Sequence, residues 1–95
     1  MNRRFYIIAY DLRTPGRDYT DLYMAIKLDR DWQHPLESTW IVWTTEDANE
    51  IYKTIKPTLD QNDLLFISEV NLQNRQGWLA KSCWEWMNER INHHV

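Results

Sequence analysis

Phe5-Tyr6-Ile7-Ile8-Ala9-Tyr10 is the stretch that most limits what this chain can fold into. Six consecutive apolar, aromatic or β-branched residues are too few for a stable helix and carry strong strand preference, so they read as a central strand. The run stops at Asp11, and Thr14-Pro15-Gly16 then turns the chain. A strand of this kind needs cover, and the next segment supplies it. Tyr19, Leu22, Tyr23 and Ile26 recur at helical spacing. Asp18 is placed to cap that helix, with Asp21 complementing its dipole, and the helix is expected to fade near Asp29 to Asp31.

Gln33 to Thr44 has strand character, densest from Thr39 to Thr44. Pro35 lacks an N–H for a ladder, which points to an edge or a bend. Two short strands kinked near Glu37-Ser38 are therefore expected. Thr44 or Thr45 is then expected to cap a second helix carrying Ala48, Ile51, Tyr52 and Ile55 on one face, ended by Pro57. Asp60-Gln61-Asn62-Asp63 is a turn, and Leu64 to Val70 the next strand. The order β-α-β-β-α-β predicts an α+β, ferredoxin-like sandwich over residues 1–72. A Trp-rich helix of the same domain is expected within 73–95, from about Gly77 to Ile91, with Leu79, Cys83, Trp86 and Met87 on one face.

Ninety-five residues allow one core. Charged residues make up 26% and hydrophobic residues 43%, a globular balance rather than a disordered one. No apolar run approaches the roughly 20 residues that span a bilayer. The N-terminus does not resemble a signal peptide, and the single Cys83 fits a reducing compartment, so a cytoplasmic protein is expected. The net charge of −3 argues against non-specific coating of duplex nucleic acid. Four of the eleven basic residues, Arg3, Arg4, Arg13 and Arg17, nevertheless fall in the first 17 positions. They read either as solvated strand ends or as one phosphate-facing patch. Six tryptophans suit core and dimer contacts better than base stacking.

Several familiar sites are absent. Two glycines give no phosphate-cradling loop, and one cysteine with three histidines gives no zinc spacing. His93 and His94 read as solvated, and Cys83 as a buried structural thiol. Asp11 stands apart, because the end of a buried strand holds a carboxylate rigidly. It reads either as a metal-binding or nucleophile-orienting group or as a turn residue. A second cluster is His34-Pro35-Leu36-Glu37-Ser38-Thr39-Trp40. Ser38 and Thr39 offer hydroxyls to a phosphate and His34 a proton shuttle, or all three serve the bend between strands.

The strand ending at Tyr10-Asp11-Leu12, the Pro15-Gly16 turn, the stretch His34 to Trp40 and the Trp-rich end resemble, in this order, the small bacterial and phage proteins labelled SinR-like. More widely they resemble the CRISPR-associated adaptation endonucleases and the virulence-associated protein D ribonucleases. The resemblance implies a ferredoxin-like homodimer with paired Asp11 residues near its two-fold axis. It implies a nuclease acting on RNA or on cyclic oligoadenylate messengers, in the manner of a ring nuclease of antiviral defence. Asp11 would be catalytic, holding Mg2+ or Mn2+ or acting without metal, with Ser38, Thr39 and His34 in the site. Tyr10, Arg13, Arg17, Glu37 and Trp40 would bind substrate. A ribonuclease toxin and a non-catalytic nucleotide-binding or interaction module are the alternatives.

Overall fold

The apolar run does become a strand, β1 (Arg4–Asp11), in a computed structural model that describes residues 2–92. Helix α1 (Thr20–Lys27) follows, then β2 (Asp31–Leu36), β3 (Thr39–Thr44), α2 (Ala48–Ile55), one 3-10 turn at Lys56–Thr58, β4 (Leu64–Glu69) and α3 (Lys81–Ile91). The strands form one four-stranded sheet in the order β2-β3-β1-β4, with every neighbouring pair antiparallel. Over the described residues the chain is thus a small α+β protein with one antiparallel sheet and three α-helices.

Alternation along β1 divides the molecule into two layers of core. Tyr6, Ile8 and Tyr10 face α1 and α2, where they pack with Leu22, Ile26, Trp40, Val42, Ile51 and Ile55. Phe5 points the other way and meets α3, whose Cys83, Trp86, Met87 and Ile91 pack on Ile41. A continuous apolar run is needed because β1 is covered on both faces over part of its length. Pro35 lies in β2, an edge strand whose pairing with β3 slips between Gln33 and Leu36, as a proline without an N–H requires. The two strands meet at a turn over Glu37 and Ser38.

Three local expectations need correction. Helix α2 is capped by Asp47, not by Thr44 or Thr45. The Asp47 carboxylate accepts from the Glu50 amide at 2.8 Å while Glu50 accepts from the Asp47 amide at 3.1 Å, a reciprocal pair. Thr44 is instead drawn to Glu46, to which its hydroxyl donates at 2.9 Å. Asp18 sits two residues before α1 and accepts from the Thr20 amide at 2.9 Å, so it shapes the approach while Tyr19 occupies the cap. The last helix starts at Lys81 rather than Gly77, and the fully exposed Trp78 lies on the segment leading into it. His93 and His94 fall outside the described residues.

Two charged clusters join the elements. The Arg30 side chain, 1% exposed, is held by Glu46 at 2.7 Å, by the carbonyls of Ala25 and Ile26, and by the Thr54 hydroxyl. It thereby takes up carbonyls that the end of α1 would otherwise leave unpaired, and ties that end to α2. On the other face, Asp31 of β2 accepts from the Trp86 indole at 2.8 Å and from Arg90 at 2.6 Å, clamping α3 to the sheet. Replacing Asp31 by alanine is expected to leave both donors without this acceptor. A loss of about 1–3 kcal/mol follows from the price of an unpaired, part-buried polar group. Urea unfolding followed by far-UV circular dichroism measures it, and an unchanged midpoint would contradict the clamp.

Candidate functional site

The end of β1 opposite its start carries the carboxylate singled out above. Asp11 is exposed, with 59% of its side chain accessible, and Arg13 reaches back to it through Nε at 3.0 Å and Nη2 at 2.9 Å. Both contacts fall on Oδ2. An exposed pair of this kind holds by only about 0–1 kcal/mol, so an incoming phosphate can draw Arg13 away at little cost.

Register fixes what shares the face with Asp11. Asp11 lies opposite Leu64, Ala9 opposite both Phe66 and Thr39, and Ile7 opposite Ser68. Cross-strand partners project to one side of a sheet, so Asp11 and Thr39 are diagonal neighbours on the same face. Ser38 sits in the adjoining turn, where its carbonyl accepts from the Tyr10 amide at 3.1 Å. Asp11, Arg13, Ser38 and Thr39 are therefore gathered at one end of the sheet. Beside them, Ile7, Ala9, Leu64 and Phe66 belong to neither core cluster, and Phe66 is 65% exposed. Helix α3 covers only the other half of this face.

The remaining expected residues are placed differently. Trp40 is 1% exposed and Tyr10 is buried, so neither ring has surface to offer a ligand. The Trp40 indole donates to the Tyr10 hydroxyl at 2.9 Å, and that hydroxyl donates to the Glu37 carbonyl at 3.3 Å. Burial pushes the Tyr10 phenol above its ordinary value of 10.0, although the Trp40 hydrogen bond opposes this. Both residues pin the β2–β3 turn from beneath. His34 stacks on Trp40 with ring centroids 3.7 Å apart, and its Nε2 lies 3.0 Å from the Glu37 carbonyl, which assigns the proton to Nε2. The ring thus lies with Tyr10 and Trp40 on the α1 side of the sheet, and the structure does not bring it to Asp11. The Glu37 side chain is exposed at the turn.

Arg17 is engaged elsewhere, with Asp60 at 3.2 Å and the Thr58 carbonyl at 3.0 Å. Arg3 and Arg4 stand at the start of β1, about 23 Å from Asp11 at 3.3 Å per strand residue. The single patch of four arginines is thereby corrected: a strand separates its two ends.

Sequence reasoning missed Asp63. Its carboxylate accepts from the Arg13 amide at 2.7 Å, the Tyr19 hydroxyl at 2.9 Å and the Asp60 amide at 2.8 Å. Desolvation acts to raise its pKa, but the Arg13 and Asp60 amides, the Tyr19 hydroxyl and the charge of Arg17 outweigh it and hold the carboxyl below its usual range. Asp63 thus fixes the loop on which Arg13 sits. Turn composition alone flagged Asp60 to Asp63, and nothing local in the sequence links that turn to Arg13, fifty residues earlier.

Among the described residues no three His, Cys, Asp or Glu side chains converge as a metal site. Within one chain Asp11 faces a guanidinium rather than other carboxylates, which does not by itself fit a divalent ion. No helix among the described residues is long and apolar enough to cross a membrane. Comparison with protein-family models, curated proteins and solved structures gave no match to this chain.

Proposed function

We propose that the chain is a cytoplasmic, homodimeric phosphodiesterase that cuts RNA or a cyclic oligoadenylate at a site built around Asp11. The observation that carries this reading is an exposed carboxylate on a central strand, beside a guanidinium and two hydroxyl residues, at the rim of an uncovered apolar half-face. The βαββαβ order with β1 inside the sheet supports the ferredoxin-like assignment. The uncovered Ile7, Ala9, Leu64 and Phe66 surface supports a partner, and a second copy laid across it would bring two Asp11 residues towards one axis.

No metal takes part in the proposed step. Asp11 accepts the proton of a ribose 2′-hydroxyl as that oxygen attacks the adjacent phosphorus. The bond to the 5′-oxygen breaks, water protonates that oxygen, and a 2′,3′-cyclic phosphate remains. Arg13, released from Asp11 by the substrate, neutralises the charge that develops on the phosphoryl oxygens, with Ser38 and Thr39 donating to them. Incubating the protein with labelled linear RNA, DNA and cyclic oligoadenylates, with Mg2+, Mn2+ or EDTA, tests this. Cleavage of none of them would overturn the enzyme reading and favour a binding module. Cleavage lost with EDTA would replace the metal-free step, and cleavage restricted to linear RNA would favour a ribonuclease toxin.

Assembly has its own test. Phe66→Glu places a charge at the centre of the uncovered half-face and is expected to give a monomer by sedimentation velocity, with the fold intact because Phe66 lies outside both cores. A monomeric parent chain, or a variant that still dimerises, would remove the proposed interface.

A further inference from the structure

Trp78 is 99% exposed, the highest value among the large hydrophobic side chains of the described residues. The segment that carries it is fixed along α3. Arg75 donates to the Leu72 carbonyl at 2.8 Å and to the Asn88 carboxamide, Gly77 lies against the Trp84 ring, and Leu79 packs into the second core. Anchored backbone holds the indole outward before any partner arrives, which lowers the entropy that docking would lose.

The second core lies on the face of the sheet that carries Phe5, Ile41 and Trp43. Ile7 and Ala9 follow Phe5 at two-residue steps and share that face, with Phe66 opposite Ala9 and Leu64 beyond it. Trp78 and the uncovered half-face therefore stand on one side of the molecule, and neither belongs to a core cluster of the described residues. Area argues for joining them. Four residues, about 4.8 Å apart across strands and about 6.8 Å apart along them, occupy only about 130 Å2 of sheet. A stable interface takes about 800 Å2 from each partner. One tryptophan side chain adds up to about 250 Å2.

We propose that Trp78 anchors the homodimer by docking on the Ile7, Ala9, Leu64 and Phe66 half-face of a second copy, whose own Trp78 docks here in return. The proposal rests on the homodimer reading above and adds the contact that holds it. A two-fold axis makes the exchange reciprocal, so each copy gives one indole and covers one half-face. The four half-face residues carry no charge, so that surface selects an aromatic anchor rather than an ion.

The test compares the parent with Trp78→Ser and Trp78→Phe by sedimentation velocity over a dilution series. Trp78→Ser is expected to raise the dimer dissociation constant by roughly thirty- to a thousandfold, the range of an aromatic hot spot, and Trp78→Phe to raise it less. Both are expected to keep the parent's far-UV circular dichroism, because the exposed ring supports neither core. In a mixed dimer of 13C-labelled and unlabelled chains, NOEs are expected from the Trp78 ring of one copy to the Ile7 and Leu64 methyl groups of the other. A monomeric parent would remove the homodimer and this contact together. A dimer that Phe66→Glu breaks but Trp78→Ser leaves unchanged would remove the Trp78 contact alone, as would NOEs from Trp78 to any other surface. Co-sedimentation with anionic lipid vesicles that is lost in Trp78→Ser, with the dimer unchanged, would give the indole to a membrane surface instead.

Discussion

Replacing Asp11 by asparagine is expected to slow phosphodiester cleavage by roughly 10²- to 10⁴-fold, the usual contribution of a positioned proton acceptor. The substitution keeps the size and hydrogen-bonding shape of the side chain but removes its basicity. Folding is expected to be almost unaffected, because the Asp11–Arg13 pair is exposed on both sides. Equal cleavage by the variant, measured with a labelled substrate in single-turnover reactions, would take Asp11 out of the mechanism. Arg13→Gln is the informative companion. It removes charge from the phosphate, and the exposed partner of Asp11, while leaving the carboxylate base itself in place, so its rate loss is expected to be smaller and to shrink as salt screens the guanidinium in the parent.

The largest loss of stability is expected at Glu46, far from any chemistry. Glu46→Ala leaves the Arg30 guanidinium buried with two carbonyls and a hydroxyl but no counter-charge. Breaking a buried pair in this way costs about 3–5 kcal/mol, somewhat less here because Glu46 is itself partly exposed. For a chain of this length each kcal/mol is worth roughly 4–8 °C, so the melting temperature is expected to fall by well over 10 °C. The double change Arg30→Met with Glu46→Leu is expected to recover much of the loss, since no unpaired charge then remains in the core. A double variant as unstable as Glu46→Ala would show that the ion pair is not the cause.

The same pair gives a pH dependence. Hydrogen bonds from Arg30 and then from Thr44, with the Arg30 charge, hold the Glu46 carboxyl below its ordinary value of 4.5 despite desolvation. A depressed folded-state pKa means that the stabilisation is fully present above the unfolded value and is lost as pH falls through the folded one. Thermal unfolding from pH 7 to pH 3 is therefore expected to show a decline beginning below about pH 4.5, and Glu46→Gln is expected to flatten part of it.

Particular residues show how far the sequence can be read. The β2–β3 turn was legible at Glu37-Ser38 because a proline and a polar step interrupt a β-branched run, and backbone chemistry is local. The cap of α2 was misread because Thr44, Thr45 and Asp47 all suit a cap in isolation. Glu46 decides among them by drawing Thr44 into the Arg30 cluster. Trp40 read as a ligand contact because an aromatic beside Ser38 and Thr39 has no marked direction in sequence. Strand register sends it inward beneath α1.

By itself the sequence determined that β1 is central and ends at Asp11, where its continuous apolar run meets a charge that will not enter a core. It also determined the order of strands and helices, since period and turn residues act within a few positions. Only the tertiary structure decided which side of the sheet each group occupies. It put Asp11 and Thr39 on one face and His34, Tyr10 and Trp40 on the other. It let Asp63 set the Arg13 loop from fifty residues away, and it parted Arg3 and Arg4 from Arg13 by the length of a strand. Pairing register and packing between distant segments make these choices, and no local pattern records them.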